Sequence, residues 1–251
     1  MKRRTPQTVS RDRRDVLYSL GSLIALGVVG CSDGTSSSSA PTSPSATTTP
    51  GSTNASCVVT PSVTEGPYFV DERLNRSDIR SDPATGAVKA GVPLTLNVRL
   101  SQVSSSGTCT ALAGALVDLW HCDALGLYSD IGQQRTVGQK SLRGYQVSDA
   151  NGAVQFTTIY PGWYMGRAVH IHFKVRTNPG GSSGLEFTSQ MFFDESLTDT
   201  IHAQAPYNSK GRRDTTNTSD GIYQGGGAQL LFPLSASGSG YSGTFNASMR
   251  V

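Results

Sequence analysis

Two histidines one residue apart, His170-Ile171-His172, lie inside the run Val169–Val175 (VHIHFKV). In an extended strand residues i and i+2 face the same way, so both imidazoles aim to one side and Ile171 to the other. Two neutral imidazoles side by side make half of a metal site. The same spacing also fits a pair of hydrogen-bonded histidines. Upstream, Pro161-Gly162-Trp163-Tyr164-Met165-Gly166-Arg167 reads as a turn able to fold a tyrosine back over that strand. Further upstream stands Trp120-His121-Cys122-Asp123-Ala124-Leu125-Gly126-Leu127-Tyr128-Ser129.

The elements that must position these residues read as strands. Alternating or β-rich runs cover Leu94–Leu100, Ala115–His121, Gly144–Val147, Val154–Ile159, Val169–Val175, Thr188–Phe193 and Gln229–Leu234. Turn formers separate them at Ser104–Gly107, Asp149–Gly152 and Asn178–Gly181. Asn151-Gly152 between two strand-like runs predicts a hairpin. Helical periodicity is confined to a short stretch near Leu197–Gln204. Short strands at this spacing predict an all-β, Ig-like sandwich of mostly antiparallel strands with long loops at the site.

The chain has 251 residues, of which 36% are hydrophobic and 16% charged, with 28 Gly and 12 Pro. That is too apolar for a disordered chain and too glycine-rich for a helical bundle. The formal charge of +3 suggests an anionic partner until it is located. Lys2, Arg3, Arg4, Arg11, Arg13 and Arg14 stand against only Asp12 and Asp15 in the first 17 residues, so the rest of the chain is slightly acidic. No nucleic-acid partner is expected. Residues 1–30 read as an export signal, a basic region followed by an apolar run (Tyr18–Val29) too short to span a membrane. The Arg13-Arg14 pair resembles the twin-arginine type, without the usual Phe after it. Val28-Val29-Gly30-Cys31 resembles a bacterial lipobox, which would make Cys31 the acylated first residue of an exported, lipid-anchored protein at the cell envelope. Residues 31–56 are dominated by Ser, Thr and Pro and read as a tether. Residues 57–251 remain for one core.

Four motifs follow one another within that domain: Thr60-Pro61-Ser62-Val63-Thr64-Glu65-Gly66-Pro67-Tyr68-Phe69, Leu116–Tyr128, Tyr160–Phe173 and Ser189-Gln190-Met191-Phe192-Phe193. In order and spacing they resemble the intradiol ring-cleavage dioxygenases, the family of catechol and protocatechuate 3,4-dioxygenases. The resemblance implies one non-haem Fe(III) per chain, with Tyr128, Tyr164, His170 and His172 as its ligands. It implies that Arg167 stabilises charge developing on the substrate and that Gln190 helps hold it. Tyr164 is implied to be the ligand displaced by a catechol, taking up substrate protons. The ring would then be opened by O2 between its hydroxylated carbons, giving a cis,cis-muconate-type diacid. The donor set agrees with that metal: phenolate and imidazole suit ferric iron better than zinc, whose structural sites prefer thiolate and imidazole. A trivalent cation, two phenolates and one hydroxide sum to zero, which avoids burying an isolated charge. Tyr68 is expected to line the pocket mouth. Tyr145 and Tyr160 lie off the motif positions and read as sheet tyrosines.

The family's helical dimerisation region has no counterpart in the leader and tether, so the resemblance sets neither oligomeric state nor substrate. Loops 132–138 and 208–221 are expected to select ring substituents. Export favours a disulfide. Cys109 and Cys122 flank one extended run of roughly 40 Å and are too far apart to bond, so Cys57 is one partner, with Cys122 expected as the other. His121 reads as a structural histidine and His202 as a surface residue of the short helix. Two rival readings stay open: a non-catalytic surface lipoprotein that binds a ligand on the same fold, and a cupin-like ferrous oxygenase. The second requires a carboxylate soon after His172, and none follows.

Overall fold

A computed structural model describes residues 57–179 and 183–250. The leader, Cys31 and the tether lie outside the described residues. Nine strands form two sheets: β1 (Pro93–Val103), β2 (Cys109–Ala111), β3 (Leu116–Trp120), β4 (Arg143–Val147), β5 (Ala153–Ile159), β6 (His170–Arg176), β7 (Glu186–Phe192), β8 (Ser235–Ser237) and β9 (Gly240–Met249). One sheet runs β2-β1-β9-β8 with β5 also on β1, and the other runs β4-β3-β6-β7. All pairings are antiparallel except that of β1 with β9. The all-β sandwich expected from the strand pattern is what the chain forms.

Alternation decides which side of each strand enters the core. Leu94, Leu96, Val98 and Leu100 of β1 are buried, while their neighbours are more exposed. They meet Val117 and Leu119 of β3, Ile171, Phe173 and Val175 of β6, and Phe245 and Ala247 of β9 in one apolar cluster. Strand β6 is buried on both faces, because loops cover the side that does not face the core. That covered outer face carries the histidines.

Three expectations are corrected. The turn at Asn151-Gly152 closes as a tight turn, with Asp149 N–H donating to Ala153 O at 3.0 Å, but β4 and β5 then enter different sheets. It is a corner between layers, not a hairpin. Gln229–Leu234 is no strand: Gly227–Leu230 forms a 3-10 turn and only Leu231 bridges to β7. In its place β8 and β9 complete the sheet, and their Ser- and Gly-rich starts read locally as turn. The disulfide joins Cys57 to Cys109, with Cα atoms 5.7 Å apart, and Cys122 is a free buried thiol. The start of the domain runs beside β2, not toward the end of β3 where Cys122 lies. The helix spans Glu195–His202 (α1), capped by Asp194, whose side chain accepts from Leu197 N–H. A second short helix, α2, covers Gly221–Gln224. No described helix is long and apolar enough to cross a membrane.

Candidate metal centre

Across the outer face of the second sheet, the register sets Arg143, Trp120, His172 and Gln190 in one row over four strands. His170 lies two residues from His172 on the same face, opposite Phe192. Both histidines are buried. His170 Nδ1–H donates to Ala168 O at 2.6 Å, which fixes the tautomer and leaves Nε2 as a free lone pair. His172 stacks on Trp120, the rings 8° from parallel with centroids 4.9 Å apart. The two Nε2 atoms lie 3.0 Å apart, so both imidazoles aim at one point, as the i, i+2 spacing predicts.

The tyrosines arrive from loops. Tyr128 is held by its backbone: its N–H donates to Gln134 Oε1 at 2.5 Å, and its carbonyl accepts from Thr136 Oγ1 at 2.6 Å. The buried Arg143 guanidinium grips the next carbonyl, Ser129 O, at 2.7 and 3.1 Å. Tyr164 stands on the turn after Tyr160, and its hydroxyl lies 3.1 Å from His170 Nε2. The two tyrosine rings meet edge to face at 5.6 Å. All four donors named from the sequence are thus brought together.

Their protonation states follow from burial. Desolvation pushes His170 down to about 3 and His172 well below the ordinary imidazole range, so both are neutral donors. Desolvation also pushes Tyr164 up to about 12 and Tyr128 well above the ordinary phenol value. Burial alone would keep these phenols protonated, so only a cation among them would ionise them. Tyr128 Oη and His172 Nδ1 are buried with no hydrogen-bond partner, although buried polar atoms are nearly always paired. An orphaned phenol oxygen beside converging imidazole lone pairs fits a metal ion. Among the described residues no cluster of three or more His, Cys, Asp or Glu forms a metal site. Among those residues no carboxylate joins the two histidines, so they do not form the two-histidine, one-carboxylate arrangement.

Arg167 and Gln190 are also at this face. Arg167 Nη2–H donates to Gln190 Oε1 at 2.7 Å, and Gln190 Nε2–H donates to Thr64 O at 2.8 Å. The glutamine amide therefore links the guanidinium to the strap Thr64–Val70. Arg167 Nε–H donates to Asp220 Oδ2 at 2.9 Å, and Ala168 N–H reaches the same oxygen at 2.7 Å. Asp220 Oδ1 caps α2 through Ile222 and Tyr223 N–H. Burial raises the Asp220 pKa, but the Ala168 N–H and the Arg167 guanidinium outweigh it and leave the carboxyl below its ordinary value. Asp220 was not singled out in the sequence. An acidic residue before a short helical run is a capping signal, but its reach to Arg167, 53 residues away, is visible only in three dimensions.

Tyr68 packs on Tyr128 at 4.6 Å and on Tyr164 at 6.1 Å, within a cluster that includes Phe69, Trp120 and Ile131. Its strap is tied down by Lys174, which pairs with Glu65 and lies 4.3 Å from the Phe69 ring centre. Cavities in the fold open elsewhere, including one of about 550 Å3 lined by Asp199, His202, Asn208 and Arg213. Beside the two tyrosine donors lies the Tyr68 ring. The remaining candidates are structural. His121 is buried, with Nδ1 at 2.8 Å from Cys122 O and Nε2 at 2.7 Å from Thr158 Oγ1. Tyr160 is a core residue bonded to Thr198. His202 is half-buried and stacked on Tyr207 at 5.1 Å, which corrects its reading as a surface residue.

A family model described as Dioxygenase matches residues 64–211, which span all four donors. Among solved structures, an intradiol ring-cleavage dioxygenase from Tetranychus urticae is 29% identical, with 77% of this chain and 95% of that one covered and a TM-score of 0.66. A further dioxygenase crystal structure is 31% identical over 77% of this chain and 95% of its own, with a TM-score of 0.68. The dioxygenase domain of a carbohydrate-binding fusion protein from the cellulolytic Streptomyces sp. SirexAA-E is 29% identical over 77% of this chain and 99% of that one, with a TM-score of 0.56.

Proposed function

Because the chain belongs to the intradiol ring-cleavage dioxygenase family and is an oxidoreductase of that class, we propose that it holds one non-haem Fe(III) between Tyr128, Tyr164, His170 and His172. Its substrate is a small aromatic diol, and its product is the cis,cis-muconate-type diacid from cleavage between the hydroxylated carbons. The observation that carries this reading is the convergence of two neutral imidazoles and two phenols, one of them an orphaned buried hydroxyl. When bound, Fe(III) would supply the positive charge that ionises the phenols and that draws electron density from a diol ring, making the ring reactive toward O2.

The chain's own residues supply the rest. Tyr128, His170 and His172 are fixed by backbone bonds, ring stacking and burial, and we assign them as permanent ligands. Tyr164 stands on a turn and is less buried, and we assign it as the residue whose phenolate Oη would accept a diol proton and become the neutral phenol. Arg167 stabilises negative charge on the bound diol, an effect strengthened in a site of low dielectric. Gln190 engages Arg167 and Thr64 at once, so its contribution is to aim the guanidinium and seat the strap. Tyr68 is the wall that the diol ring meets and must shift to admit it. Trp120 and Phe69 exclude water behind His172. The reading of residues 1–56 carries over as a proposal: export, acylation of Cys31, and membrane contact through that lipid alone, with no nucleic-acid partner.

Oxygen uptake by the iron-loaded protein over catechol, protocatechuate and hydroxyquinol, run under 18O2, tests the function. The expected result is a ring-opened diacid carrying both labelled atoms from at least one diol. Uptake with none of them, or a product cleaved outside the diol bond, overturns it. Mass analysis of the mature chain should find a diacylated Cys31 at its start.

A further inference from the structure

We infer that Lys210 is a positioning residue that latches together the two loops carrying the tyrosine ligands; this rests on the ligand reading proposed above. Its ammonium donates to Leu125 O at 2.7 Å and to Trp163 O at 2.6 Å. Leu125 lies three residues before Tyr128, and Trp163 immediately precedes Tyr164. One cation therefore joins the two main chains from which the phenols hang. The same ammonium lies 4.6 Å from the centre of the Trp163 ring, whose Nε1–H donates to Gly211 O at 3.2 Å.

The other described lysines each bond a carboxylate: Lys89 pairs with Asp123, Lys140 with Glu72, and Lys174 with Glu65 and Glu186. Lys210 has no carboxylate partner among the described residues. An ammonium carries three donors and no acceptor, and here two of them go to main-chain carbonyls that no other donor serves. The junction is shaped for that contact. Gly126 has φ +80°, and a Cβ there would lie 2.0 Å from Trp163 O and 2.4 Å from Lys210 Nζ, so the loops meet closely only because position 126 has no side chain. Lys210 itself stands on a fixed support. It ends the 3-10 turn Tyr207–Lys210, whose buried Tyr207 hydroxyl donates to Tyr160 O at 2.7 Å and accepts from Val92 N–H at 2.9 Å. Without the ammonium, two carbonyls would face one another with no donor between them, and the loops would be joined only through Gly162, by its N–H to Asp123 O and its carbonyl to Cys122 Sγ.

Lys210→Met tests this, because it keeps the apolar stem over Trp163 and removes only the ammonium. In the metal-free protein, hydrogen exchange should rise at residues 125–128 and 162–166 while β1, β6 and β7 stay protected. In the iron-loaded protein the visible band of the wild type should shift, and iron loss to a chelator should become roughly tenfold faster, the usual scale for groups that support metal ligands. Lys210→Gln, which keeps an uncharged N–H donor group on a shorter stem, should fall between wild type and Lys210→Met and serves if Lys210→Met does not fold. Unchanged exchange in both loops, or a wild-type band and iron-release rate in both variants, overturns the latch. A wild-type protein without a visible band contradicts the ligand reading instead, and the exchange measurement then decides the latch by itself.

Discussion

Single atoms carry the chemistry. The His170 tautomer is set by one N–H to Ala168 O, and His172 is oriented by the face of Trp120. Tyr128 Oη is buried with no partner in hydrogen-bond geometry and only the Tyr164 hydroxyl for a polar neighbour on the phenol side, so its removal costs little. Tyr128→Phe should therefore fold with a melting temperature near that of the wild type while retaining almost no iron, as metal content after dialysis would read. Full iron occupancy in that variant would contradict the ligand assignment. Asp220 makes a different prediction. Asp220→Asn keeps the shape but removes the charge that faces the Arg167 guanidinium. A misplacement of about 1 Å costs on the order of 100-fold in rate, so kcat should fall by about that factor while iron stays bound. At this scale strand parity made the shared face of His170 and His172 legible, while Tyr128, Tyr164 and Arg167 were named through the resemblance in motif order, and the structure places them beside those histidines. Asp220 and Lys210 were not, because their partners lie in loops far away in the chain.

At the scale of elements, the site depends on two loops laid against the outer face of one sheet. They are joined by Gly162 N–H to Asp123 O at 3.1 Å and by Cys122 Sγ to Gly162 O at 3.4 Å. Gly126 is the closest approach between them. Gly126→Ala would place a non-glycine residue at positive φ and drive its methyl into Trp163 O. Strain of this kind costs roughly 1–3 kcal/mol, so thermal unfolding should drop by several degrees. The visible band of the iron form should change along with it, since Trp163 carries Tyr164. An Ala variant with both properties unaltered would show that the close approach is dispensable. The strand that holds the histidines was readable because Ile171, Phe173 and Val175 alternate with His170, His172 and Lys174 along β6. Strands β8 and β9 were missed because Ser235–Gly243 has turn composition, and the pairing of β9 with β1 and β8 and the burial of Phe245 and Ala247 override that local preference.

For the whole molecule, the domain is closed at its start by Cys57–Cys109, cysteines separated by 52 positions in the chain. A loop of that length should stabilise the fold by roughly 2–4 kcal/mol through the unfolded state. The pair Cys57→Ser and Cys109→Ser should lower the melting temperature by about 5–15 °C and leave iron binding intact, whereas Cys122→Ser should leave the disulfide formed. Equal melting curves for the oxidised and doubly substituted proteins would contradict this. The pairing itself was not legible, since it depends on which strand the first described residues run beside. The central claim is that two tyrosinates and two histidines bind one ferric ion. The visible spectrum of the purified, iron-loaded protein tests it most directly, taken before and after anaerobic addition of catechol. The account predicts a red-brown tyrosinate-to-iron band that shifts when the diol binds; a colourless protein with one iron bound per chain would contradict it.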